Sequence, residues 1–128
     1  MSIELKMLVW SVALAFLQMV IAVAGATHEF GLPRLAGNRE PVPEATGWAG
    51  RAKRAHVNML ESLVLFAALV LVAVAAQRTS SVTAIGAQLF FWARLVYAGI
   101  YLAGIPWLRT GVWSLAVIGL VMIFTQVV

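Results

Sequence analysis

Arg51, Arg54, Asn58 and Glu61 follow one another at spacings of three, four and three. On a helix turning about 100° per residue they fall within about an 80° arc of one face. The stretch runs straight into an apolar segment, so these groups are carried to the edge of a lipid bilayer. Ionisable side chains at that depth are costly, face protein or water, and mark function by default. Arg94, Tyr97 and Tyr101 repeat the three-and-four spacing within about a 60° arc of a later apolar segment. Two helices therefore offer matching polar stripes, and the cheapest packing brings Glu61 near an arginine, because an isolated buried charge is expensive.

A single ion pair would consume only one arginine. Arg51, Arg54 and Arg94 outnumber Glu61, and the surplus calls for an anionic ligand, carboxylate in particular, since the guanidinium fork grips it in two places. Asn58 and the two tyrosines supply donors and acceptors suited to a peptide-like molecule. The plainer alternatives are a structural ion pair between two helices and an interfacial aromatic belt. Tyr101 suits either role, whereas Tyr97 lies deeper and suits a site. Trp10, Trp48, Trp92, Trp107 and Trp113 read as interface anchors. His56 points about 160° away from Asn58, and with His28 as its only companion it offers no metal site.

The elements that hold these residues are read from composition. Of the 128 residues 62% are hydrophobic and 11% charged, with a mean hydropathy of +0.94, well above the apolar half of an ordinary soluble domain. An integral membrane protein follows. Four stretches approach the roughly 20 helical residues that cross a bilayer: about 5–26, 57–76, 82–105 and 107–128. Short second and third links make this an all-α bundle of four transmembrane helices in up-down order, a single membrane domain over residues 1–128. The first link, residues 27–50, is long and rich in proline and glycine, Pro33, Pro41 and Pro43 among them, and such a loop reads as functional. Val57 is where the second span begins.

Arg34, Arg39, Arg51, Lys53, Arg54 and Arg109 lie on one side of the spans and Lys6 and Arg78 on the other. By the positive-inside rule both ends lie outside and the polar stripe opens to the cytoplasm. The net charge of +4 fits anionic lipid or an anionic small molecule and resembles no nucleic-acid module. There is no cysteine, so any thiol chemistry must use a bound thiol. Four thin helices enclose little interior, and buried charge then needs walls from a neighbouring copy, which points to a closed homo-oligomer.

The pattern Arg51-x-x-Arg54-Ala-His56-x-Asn58-x-x-Glu61, then Ala93-Arg94-x-x-Tyr97-x-x-x-Tyr101 and Pro106-x-x-Arg109-Thr110, resembles the membrane-associated proteins of eicosanoid and glutathione metabolism, and the chain looks like a short bacterial member. The resemblance implies a homotrimer in the bacterial inner membrane with three sites between subunits. Each would bind glutathione, as thiol co-substrate, from the cytoplasm. It implies that Arg51, Arg54, Asn58, Glu61, Arg94, Tyr97 and Tyr101 hold the tripeptide, and that Arg109, assisted by Thr110, stabilises its thiolate. An apolar electrophile or lipid hydroperoxide would enter from the bilayer, giving transferase or peroxidase chemistry. The chain departs from some members at Val57, Val64 and Trp113, and in the spacing from Tyr101 to Arg109. Two rival classes remain: a non-catalytic lipid-binding scaffold trimer, and a small multidrug transporter. The transporters, however, carry their membrane glutamate in the first span and without arginine neighbours.

Overall fold

Hydrocarbon offers backbone groups no water, so a spanning segment must satisfy its own hydrogen bonds as a helix. The computed structural model describes residues 1–37 and 43–128; Arg39 and Pro41, used above, lie outside them. It contains α1 (Ile3–Phe30), a short α2 (Leu32–Ala36), α3 (Gly47–Ala75), α4 (Ser81–Ala103) and α5 (Pro106–Val127). All but α2 are long and apolar enough to cross a membrane, and the protein is an integral multi-pass helical bundle. The closest pairs are α4 with α5 and α1 with α3, while α4 also packs on α1 and α3.

The helix carrying the first polar stripe starts at Gly47, well before the apolar run at Val57. The reason is a buried apolar row, three small residues and then a methionine: Ala49, Ala52, Ala55 and Met59 recur every three or four positions as one helix face requires. Of the stretch read as loop, residues 27–30 complete α1, 32–36 form α2 and 47–50 open α3. The helix passes through Val64 without a break.

Each helix end near the stripe is tied by a specific bond. The Glu29 carboxylate accepts from the Thr46 backbone N–H at 3.0 Å and from its hydroxyl at 2.8 Å, placing negative charge at the N-terminus of α3, where the helix dipole favours it. At the end of α4, Gly104 adopts φ 79° and donates to the carbonyls of Ile100 and Tyr101. Arg51 Nε donates to the next carbonyl, Leu102, at 3.0 Å, so orphan acceptors at this terminus are satisfied. Pro106 then opens α5 at a position where a missing N–H costs nothing.

At the opposite end, Ser80 and Thr83 form a capping box at the start of α4, and the Thr83 hydroxyl meets Glu4 Oε1 at 3.2 Å. Glu4 begins a heptad-spaced row on α1, Glu4, Ser11, Gln18 and Gly25, every member buried. Between the ends the core is apolar, with Phe66 of α3 stacked on Phe90 of α4 at 4.1 Å between ring centroids.

The α4–α5 contact rests on two glycines that let the backbones touch. A Cβ at Gly86 would stand 2.8 Å from the Gly119 carbonyl, and one at Gly119 2.6 Å from that of Gly86. In lipid, where no hydrophobic force drives helices together, such close approach is a main source of attraction. Gly119→Val should therefore lower the detergent melting temperature, by an amount equivalent to about 1–3 kcal/mol of overpacking. Gly111→Ala, which meets nothing within 4 Å inside α5, should leave it unchanged or raise it slightly, since alanine favours helix over glycine.

Candidate functional site

The two sequence stripes converge on one open cavity of about 530 Å³, within the roughly 300–1,000 Å³ typical of ligand pockets. Arg54, Asn58 and Glu61 reach it from α3, Tyr97 and Tyr101 from α4, and Arg109 and Thr110 from α5. Lys53, Val57, Trp113 and the Glu44–Ala45 segment complete the wall. Three cations, Lys53, Arg54 and Arg109, thus face two carboxylates, Glu44 and Glu61.

Arg94 stands behind this wall and organises it. It is only 1% exposed, and its Nη1 donates to Asn58 Oδ1 at 2.8 Å. Its guanidinium carbon lies 4.1 Å from the centroid of the Tyr97 ring, a cation over an aromatic face. Tyr97 meets Tyr101 edge-on at 5.6 Å, and Arg109 lies over Tyr101 at 4.6 Å. A continuous row, Asn58, Arg94, Tyr97, Tyr101, Arg109, therefore links α3, α4 and α5 by one hydrogen bond, two cation–ring contacts and one ring–ring contact. Arg94 Nε and Nη2 have no hydrogen-bond partner among the described residues.

Three placements differ from the expectations above. Arg51 does not line the cavity, because its guanidinium is spent on the Leu102 carbonyl. Glu61, expected beside one of the arginines, is exposed and faces the cavity, and the hydrogen-bond partner of Arg94 is Asn58. Trp113, read as an interface anchor, lies in the wall. Lys53 and Glu44 carried no warning in the sequence. Lys53 sits one position from Arg54 on the same helix, about 100° off the stripe, and Glu44 arrives through a segment with no helical period.

The chain belongs to the MAPEG family, whose model matches residues 7–128. No curated protein and no solved structure gives a significant match to it. Family membership makes this a membrane protein of the broad glutathione- and eicosanoid-metabolising class.

The Asn58–Arg94 bond yields a direct test. Asn58→Ala strips the Asn58 Oδ1 acceptor from the buried Arg94 guanidinium and should cost about 1.5–3 kcal/mol of stability, the worth of a hydrogen bond to a charged group. Asn58→Asp keeps an acceptor and should melt near the parent. Equal melting temperatures for the alanine variant and the parent would refute the role given to this bond.

Proposed function

We propose that the protein is a glutathione-dependent membrane transferase or peroxidase acting on apolar electrophiles or lipid hydroperoxides. The observation that carries this reading is the convergence of Arg54, Asn58, Glu61, Tyr97, Tyr101 and Arg109 on one cavity with surplus positive charge. Glutathione carries two carboxylates, one ammonium group and amide bonds. Lys53 and Arg54 suit the carboxylates, Glu61 the ammonium, and Asn58 and the tyrosine hydroxyls the amides. Arg94 is a positioning residue that fixes Asn58 and Tyr97.

Arg109 and Thr110 are the groups assigned to the sulfur. A free thiol ionises near pH 8.5, and an adjacent guanidinium lowers that value, raising the nucleophilic fraction at neutral pH. The Arg109 side chain is held over Tyr101 at the start of α5, where the helix N-terminus also favours an anion. The thiolate then attacks a substrate presented from the lipid side. At an electrophilic carbon it forms a thioether as the leaving group departs with its electron pair. At a hydroperoxide oxygen it breaks the O–O bond, releasing the alcohol and leaving a glutathione sulfenic acid that a second glutathione converts to the disulfide and water. The assembly proposed is a homotrimer with its sites open to the cytoplasm of a bacterial inner membrane and both chain ends outside. The broad exposed apolar faces, Phe16, Leu65 and Phe124 among them, support lipid and subunit contact alike.

Calorimetry on detergent-purified protein tests binding and chemistry separately. Arg54→Ala should weaken both glutathione and S-methylglutathione by about tenfold or more. Arg109→Ala should still bind S-methylglutathione while the rise of its pH–rate profile moves to higher pH, because loss of the cation lifts the ionisation of the bound thiol. Undiminished glutathione binding by Arg54→Ala would remove the site assignment. Binding without turnover toward any electrophile or hydroperoxide would favour the lipid-binding scaffold.

A further inference from the structure

A second cavity, of about 400 Å³, adjoins the first. Its long wall is apolar, formed by Met19, Ala22, Val23, Ala26 and Phe30 of α1 with Leu35 of α2. Met19 to Phe30 covers about 16 Å of helix axis at the helical rise per residue, a length suited to one extended chain. His56 lines this cavity from α3, while Lys53, Glu44 and Ala45 line both. The two spaces are therefore neighbours around α3. Lys53 stands about 60° from His56 on the helix, and Val57 and Glu61 of the first cavity follow at about 100° and 140°.

We infer that the second cavity holds the hydrocarbon chain of the second substrate, whose reacting end lies in the first. The inference rests on the glutathione reading proposed above and narrows its substrate class to an electrophile or hydroperoxide borne on one unbranched acyl chain. The first cavity is poorly suited to desolvating such a chain. Beside the two tyrosines its described wall offers Val57 and Trp113 as large apolar side chains, set among five charged ones. The second presents a continuous apolar row on α1, and the small side chains of Ala22 and Ala26, one turn apart, leave it the depth a chain needs. The shared Lys53 and Glu44 do not choose the occupant; the apolar wall and its continuity with the first cavity do. A compact substrate that sits wholly within the first cavity gains nothing from the second, so the arrangement discriminates by chain length.

The test compares glutathione-dependent reduction of linoleic acid hydroperoxide, which carries a long chain, with that of cumene hydroperoxide, which does not. Ala22→Phe and, separately, Ala26→Phe fill the trough. Each should raise the KM for the linoleic hydroperoxide about tenfold, the worth of burying about two methylenes, and leave the KM for cumene hydroperoxide and the calorimetric affinity for glutathione within about twofold. Retained cumene hydroperoxide turnover shows that the fold persists. An equal rise for both hydroperoxides, or a rise for neither, would overturn the inference. Chain binding is also read without turnover, by photolabelling with a hydroxyoctadecadienoate that bears a diazirine in its chain, mapped by mass spectrometry. Adducts should concentrate on residues 19–30 of α1 and fall roughly tenfold in both variants. Adducts spread evenly over the exposed apolar faces would show annular contact only and overturn the inference equally. A parent without glutathione affinity would remove the functional reading and this substrate assignment together, a result that calorimetry reports separately from the labelling.

Discussion

A guanidinium buried at membrane depth cannot be left alone, and the placement of Arg94 governs the region around it. Hydrocarbon supplies neither counter-ion nor water, so the charge has to be met by protein groups at short range. Asn58 provides an acceptor and Tyr97 a π face. Together these contacts set the register of α4 against α3, because a helix rotated by one residue would turn the guanidinium about 100° away from both. Once Arg94 and Tyr97 are placed, Tyr101 one turn on and Arg109 across the α4–α5 turn are placed with them. The candidate site inherits its geometry from this one buried cation.

The ends of the helices are tied with equal economy. Glu29 holds the N-terminus of α3, Arg51 joins the C-terminus of α4, and Gly104 with Pro106 makes a sharp return into α5. All three devices lie at the end of the bundle where the first cavity opens. Loop and helix ends are the natural places for binding groups, provided a rigid scaffold holds them. Here that scaffold is the α3–α4–α5 corner, with α1 and α2 backing the opposite side of α3. A single helix thereby presents a polar face to one cavity and His56 to another.

The far end of the bundle uses a different chemistry for the same purpose. Glu4, Ser11 and Gln18 form a buried polar row on α1, of which Glu4 is bonded to Thr83, so polar contact joins α1 to α4. Between α4 and α5 the attraction is of the other kind, dispersion across the Gly86–Gly119 approach. Polar glue and close backbone packing are the two means by which helices hold together without a hydrophobic driving force.

The sequence by itself determined the four spans, the membrane setting and the stripes of Arg54–Asn58–Glu61 and Arg94–Tyr97–Tyr101, because hydropathy and helical period are local properties that any neighbour must respect. It also carried the heptad row on α1, overlooked because serine and glutamine in an apolar run give only a weak periodic signal. Tertiary structure alone decided where each stripe is spent. Arg51 lies on the same face as Arg54 yet is drawn to the Leu102 carbonyl, since the α4 terminus ends beside it and an orphan acceptor competes for its fork. Glu61 keeps to the cavity while Asn58 takes Arg94, a choice between two acceptors less than one turn apart that spacing cannot make. Lys53, Glu44 and Trp113 enter the site only because α5 and the 43–46 segment fold back over α3. A helical period names a face; which neighbour that face meets, and how far along the axis, depends on packing and chain return, and neither is written in any local stretch of the chain.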